Sequence, residues 1–233
     1  MRKPILTVLM IATLLLSACW TEKAKTVVVL VDATMSIDPA EYERCNVELR
    51  RLMERLGRGD RLVLVPITGE PQELLGPRIV HIHMPKERVS YDSNLKKARA
   101  YAAKQIEQFV TDLPAIQAKA TDIIGAMRAV QNEFGANVEL VILSDMVLET
   151  AELCFPTAPE LAHPKSAEAL AEQLARRDLL RGTKVKVGML KSFGLEKMNA
   201  PRREATQAFW RRYFLASGAS SVRITVDLET IGE

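Results

Sequence analysis

A chain of 233 residues with 32 Lys+Arg against 29 Asp+Glu, 48% hydrophobic and 26% charged residues, has the composition of an ordinary globular protein. A formal net charge of +3 excludes both the polyelectrolyte character of a disordered chain and the basic excess of a nucleic-acid binder. The first twenty residues stand apart from this average. Arg2 and Lys3 precede a charge-free run, 4–18, rich in Leu and Ile. A positive start followed by an apolar stretch too short to span a bilayer comfortably is the pattern of a secretory leader.

The leader ends Leu16-Ser17-Ala18-Cys19, which resembles the lipobox of bacterial lipoproteins. The resemblance implies cleavage before Cys19 and acylation of that cysteine; a plain signal peptide or a short membrane anchor is the bland alternative. Residues 1–18 are then a signal peptide, 19–24 a lipidated N-terminus with a short tether, and 25–233 the folded domain. Acyl chains, at about 0.8 kcal/mol per buried methylene, would hold the protein on a membrane. Trp20, where an acidic residue could stand, implies the outer membrane, so the expected location is the bacterial cell envelope, facing the periplasm. Removing 18 of the 233 residues leaves 215, and losing Arg2 and Lys3 lowers the charge from +3 to +1. No electrostatic case remains for nucleic acid or anionic lipid.

The rest of the chain alternates strand-like and helix-like segments. The β-branched run 26–31 reads as a strand buried on both faces and stops at Asp32. Asp38-Pro39 opens a helix as N-cap and first helical residue; Val47, Leu49, Leu52, Met53 and Leu56 form its apolar side, and Gly57 and Gly59 end it. Strands follow at 62–67 and 78–84, joined by a connection too short for a helical crossover and hence antiparallel. Leu95, Ala98, Ala102, Ile106, Phe109, Val110 and Leu113 recur at the spacing of a long amphipathic helix. A further helix begins near Thr121 and carries Ile124, Met127, Val130 and Phe134. The strand 138–143 again ends in a carboxylate, Asp145. Beyond a proline-containing loop, 167–180 reads as helix, 184–190 as strand, 202–215 as helix and 222–228 as strand. The order β-α-β-β-α-α-β-α-β-α-β predicts an α/β fold, a doubly wound, mostly parallel six-stranded sheet with one antiparallel edge strand.

Ligands of such sheets bind beyond the carboxyl ends of the strands, where strand order reverses. The run Asp32-Ala33-Thr34-Met35-Ser36 leaves the first strand with three oxygen-bearing side chains on one tight loop. It resembles the Asp-x-Ser-x-Ser motif of von Willebrand factor A domains, whose metal-ion-dependent adhesion site it would begin. The resemblance covers about 25–228. It implies two further positions, matched by Thr121 in Ala120-Thr121-Asp122 and by Asp145 in Leu143-Ser144-Asp145. Two departures stand out: Thr34 replaces the more usual serine, and Met146 follows Asp145 where many members have glycine.

Asp32, Thr34, Ser36, Thr121 and Asp145 form an all-oxygen set that suits a hard cation: Mg²⁺ first, with Mn²⁺ or Ca²⁺ as alternatives. Two carboxylates and three hydroxyls leave such an ion electrophilic enough to accept an acidic side chain from a protein partner, as the resemblance implies. The alternative is simple helix capping with no metal. An enzymatic reading, a metal-dependent periplasmic hydrolase of phosphatase type using Asp32 and Asp145, lacks the second aspartate at position 34 that would serve as general acid. No serine elbow, phosphate loop or dinucleotide motif is present. The expectation is therefore a non-catalytic, membrane-anchored binding module.

Weaker features have ordinary explanations. His81 and His83 share one side of a strand but have no third ligand nearby in sequence and read as surface. Arg58-Gly59-Asp60 falls in a turn that needs glycine anyway. Phe209, Trp210, Tyr213 and Phe214 are expected to pack a helix on the sheet. Cys45 and Cys154 either form a disulfide joining the first helix to the loop after Asp145 or remain buried thiols.

Overall fold

The computed structural model describes residues 24–69, 75–87 and 91–231. The leader, Cys19 and the tether up to residue 23 lie outside the described residues. Six strands, β1 (Thr26–Asp32), β2 (Arg61–Ile67), β3 (Val80–His83), β4 (Val138–Ser144), β5 (Lys184–Met189) and β6 (Ser221–Thr225), form one sheet in the order β3-β2-β1-β4-β5-β6. Only the β2–β3 pairing is antiparallel. The expected doubly wound sheet with one antiparallel edge is the observed one.

Every residue of β1 is buried, because β1 has strands on both sides and helices on both faces. Its side chains alternate between two cores. Val28 and Leu30 join Val63, Val65, Leu140 and Ile142 beneath helices α3 (Ile123–Ala129), α4 (Pro164–Leu174) and α6 (Ala200–Ala216). Val27, Val29 and Val31 join Leu64 and Val141 beneath α1 (Pro39–Glu54) and α2 (Tyr91–Ile116). The registers Val28↔Val63 and Val28↔Leu140 bring the carboxyl ends of β1, β2 and β4 level. Asp32 and Asp145 therefore emerge side by side where the strand order reverses.

Local chemistry sets most of the boundaries. Asp38 caps α1 by accepting from Ala40 N at 3.0 Å, ahead of Pro39. Asp122, rather than Thr121, caps α3 by accepting from Gly125 N at 2.7 Å. The third strand begins at Val80 rather than 78, since Gly76–Arg78 forms a 3-10 turn. The last strand stops at Thr225, because Asp227 caps another 3-10 turn, Leu228–Thr230. α4 ends at Leu174, not 180, where Ala175 turns extended with ψ 136. Val47, read as part of the apolar side of α1, is 41% exposed.

The aromatic side chains of α6 are core: Phe209, Trp210, Tyr213 and Phe214 are fully buried and pack with Phe155, with Phe155–Phe209 ring centroids 4.9 Å apart. His81 and His83 are exposed on the edge strand. The carboxylate of Asp60, in the Arg-Gly-Asp tripeptide, accepts from Lys25 N and Gly57 N at 2.8 Å each, so it organises its own turn.

Of the two alternatives for Cys45 and Cys154, the structure holds both as free thiols, Cys45 buried and Cys154 half-buried. Cys45 is on the buried side of α1, whereas the neighbours of Cys154, Leu153 and Phe155, pack into the core on the opposite face of the sheet. Burial pushes the Cys45 thiol up to about 12, which suppresses the thiolate needed for exchange. Among the described residues, no helix is long and apolar enough to cross a membrane.

Candidate functional site

Asp32, the last residue of β1, is fully buried and accepts three hydrogen bonds. Its Oδ1 takes Thr34 N at 3.0 Å and Thr34 Oγ1 at 2.7 Å, and its Oδ2 takes Ser144 Oγ at 2.6 Å. Ser36 Oγ lies 3.0 Å from Thr34 Oγ1. The sequence reading thus places Asp32, Thr34 and Ser36 on one loop, and the structure links them in one hydrogen-bonded chain.

Asp145, just past β4, is buried. Its Oδ1 accepts from Val147 N at 2.9 Å, while its Oδ2 is buried without a hydrogen-bond partner. The Ser192 hydroxyl is near enough to favour the ionised form, but its geometry to Oδ2 is not that of a hydrogen bond. Burial first, and the charge of Asp32 second, push the Asp145 carboxyl up to about 7. Burial also raises Asp32, against the hydrogen bonds from Ser144 and Thr34. Glu149 adds negative potential to both. These are desolvated carboxylates of like charge side by side, an arrangement that favours a proton or a cation.

Thr121 is buried on a loop tied to its neighbours by backbone bonds. Its N–H donates to Glu149 O at 3.0 Å and its carbonyl accepts from Glu149 N at 3.1 Å. Three residues earlier, Ala118 O accepts from Met35 N at 3.3 Å. Gly69 permits the close approach of β2 to this loop: a β-carbon there would stand 2.3 Å from Ala120 Cβ. The loops bearing Asp32, Thr121 and Asp145 are thereby laced together at one end of the sheet.

Met146 accounts for a departure noted in the sequence. Its φ is 62°, the left-handed region that favours glycine, so the loop keeps the path that a glycine would take. Such a conformation costs roughly 1–2 kcal/mol for a non-glycine residue. It is held by burial of the side chain, by Met146 N donating to Ser144 Oγ at 2.9 Å, and by Trp210 Nε1 donating to Met146 O at 2.7 Å.

A fourth loop, which sequence reasoning missed, completes the surroundings. It links β5 to α5 (Phe193–Lys197), a single helical turn capped by Ser192 Oγ on Leu195 N at 2.9 Å. Lys191 O accepts from Asp38 N at 3.1 Å and Phe193 N donates to Ser36 O at 3.0 Å, joining it to the hydroxyl loop. A β-carbon at Gly194 would lie 3.6 Å from Asp145 Oδ2, an ordinary contact distance, so this loop passes directly beside that oxygen. Above the site lies a cleft of about 550 Å³ whose walls include Thr34, Ser36 and Gly194.

The donor set agrees with a hard cation in one specific respect: among the described residues Asp145 Oδ2 is an acceptor still to be satisfied, near the second carboxylate of Asp32, which is itself bonded to the Thr34 hydroxyl. Among the described residues, no group of three or more His, Cys, Asp or Glu is placed to hold a metal. With two carboxylates at hand, an ion here would need neutral oxygens to complete its coordination.

No family model matches the chain, and no curated protein matches it in sequence. In structure it is similar to the human COPII-coat protein Sec24c, at 11% identity and TM-score 0.46, over 88% of this chain and 30% of that one. It is also similar to a von Willebrand factor type A protein from Catenulispora acidiphila, at 12% identity and TM-score 0.41, over 90% of this chain and 40% of that one. The chain spans less than half the length of either. The fold assignment rests on its own strand order and registers.

Proposed function

We propose that this protein is a membrane-anchored, non-catalytic binding module of von Willebrand factor A type. In this reading Asp32, Thr34, Ser36, Thr121 and Asp145 hold a divalent cation, Mg²⁺ in the first place, and the ion engages an acidic side chain of a protein partner. The observation that carries the reading is the buried Asp145 Oδ2, without a hydrogen-bond partner and beside a second buried carboxylate. A bound cation supplies a Lewis-acidic centre that a partner's carboxylate can join.

The chain's own residues do the rest. Ser144 and Thr34 hold Asp32 in a fixed rotamer through its two oxygens. The Val147 amide fixes Oδ1 of Asp145 and leaves Oδ2 uncommitted. Thr34 and Ser36 present neutral oxygens toward the cleft, so the ion's charge is only partly offset and remains attractive to an anion. The test is calorimetric titration with Mg²⁺ and Mn²⁺. The wild-type chain is expected to bind a single ion, and Asp145→Asn to weaken it at least tenfold. Equal affinities, or no heat in either protein, would refute the assignment.

Anchoring is carried by Leu16-Ser17-Ala18-Cys19. Changing Cys19→Ser is expected to move the protein from the membrane fraction to the soluble periplasmic fraction. Unchanged fractionation on density gradients would overturn lipidation.

A further inference from the structure

The rim of the cleft combines two kinds of unsatisfied side chain. Met35, between Thr34 and Ser36, is 59% exposed, and Phe193, whose N–H is bonded to Ser36 O, is 58% exposed. These large apolar side chains flank the hydroxyl loop and line the same cleft. Both forgo the burial that most large apolar side chains of the described residues obtain, and they do so side by side on one cleft. Lys119 and Lys197 line it as well, both exposed and, among the described residues, neither in an ion pair. The third cation, Arg202, is already committed to Phe155 O at 2.6 Å and Ala158 O at 2.8 Å. Among the described residues, Glu149 is the one carboxylate of the cleft wall.

Resting on the cation reading above, we propose that this rim selects the sequence around the partner's carboxylate. The occupant is a protein segment in which an acidic residue, bound at the ion, adjoins a large apolar residue and a second acidic residue. The apolar side chain packs between Met35 and Phe193, and the second carboxylate pairs with Lys119 or Lys197. An acidic segment without the apolar residue gains charge contacts alone, and an apolar segment without a carboxylate cannot reach the ion. Together the two requirements give a specificity that neither supplies by itself.

The test selects a phage-displayed library of random dodecapeptides on the full chain in Mg²⁺, and measures the selected peptides as synthetic probes. The expected peptides carry adjacent acidic and large apolar residues and are released by EDTA. The double variant Met35→Ser/Phe193→Ser is expected to lose at least tenfold in peptide affinity with its Mg²⁺ affinity unchanged. Lys119→Glu/Lys197→Glu is expected to weaken the same peptides and to reduce the salt dependence of binding. Selected peptides without this composition, an empty selection on Mg²⁺-loaded protein, or undiminished binding to the double variants would overturn the proposal while leaving the cation site standing. Failure of the wild-type chain to bind Mg²⁺ would instead overturn the site and this inference with it.

Discussion

In metal-free protein, thermal stability is expected to fall as pH rises from about 4 toward 7, and Mg²⁺ is expected to offset much of the fall. The sign follows from the Asp145 carboxyl, which burial and the Asp32 charge push up to about 7 from an ordinary value near 3.8. Between these values the folded chain keeps a proton that the unfolded chain has released. Stability therefore drops by at most about 1.4 kcal/mol per pH unit for that proton. For a domain of this size 1 kcal/mol corresponds to roughly 2–4 °C in Tm. Asp32 is raised for the same main reason, and buried Glu48, also raised, contributes with the same sign. The Asp145→Asn variant separates them: it has no such proton to lose, so its profile should be flatter and its metal-free form more stable at pH 8. A cation at a hundred times its Kd adds about 2.7 kcal/mol. Calorimetric scans at pH 5 to 8 with EDTA or Mg²⁺ decide the matter. A wild-type Tm that rises through this window in EDTA no less steeply than that of Asp145→Asn would show that Asp145 is already compensated.

Replacing Trp210 with alanine is expected to destabilise the fold by about 3–5 kcal/mol, a large share of the roughly 5–15 kcal/mol that a domain holds. Trp210 is fully buried, and its ring lies 5.1 Å from Phe209, 5.5 Å from Phe214, 5.6 Å from Tyr213 and 5.8 Å from Phe155. The Trp210→Phe variant keeps most of that packing but strips the donor from Met146 O. Its expected cost is about 1–3 kcal/mol, the penalty for a buried carbonyl left unpaired. Because Met146 follows Asp145, both variants should also weaken Mg²⁺ binding, although the indole is not part of the site. Urea unfolding gives the first effect and calorimetric titration the second. Stability loss with unchanged Mg²⁺ affinity would mean that the loop holds its shape without the indole.

The parts of this molecule that were legible in the sequence are those fixed by short-range chemistry. The apolar runs of β1 and β4 are buried on both faces and therefore show no alternation, and each ends in a carboxylate at the switch point. Asp38-Pro39 marks the start of α1 because an acceptor side chain and a preset φ are what a helix N-terminus needs. The rest depends on tertiary contacts. α5 is one turn long, too short for any periodicity. Val47 sits on an apolar spacing, yet it is left 41% exposed. Glu149 reaches the site through a backbone pairing with Thr121 that no local pattern announces, and Gly194 matters because of what stands opposite. The two cysteines lie near the site in sequence order, yet the sheet separates their layers.

Met146 has a consequence for how an ion would be received. A glycine after Asp145 could visit several backbone regions, and binding would have to remove that freedom. Methionine has one narrow left-handed well, and its amide, carbonyl and side chain are each already engaged. The ordering entropy of this segment is thus surrendered when the chain folds, not when a ligand arrives. The loop is stiff before use, and the aim of Asp145 is set by the core beneath it.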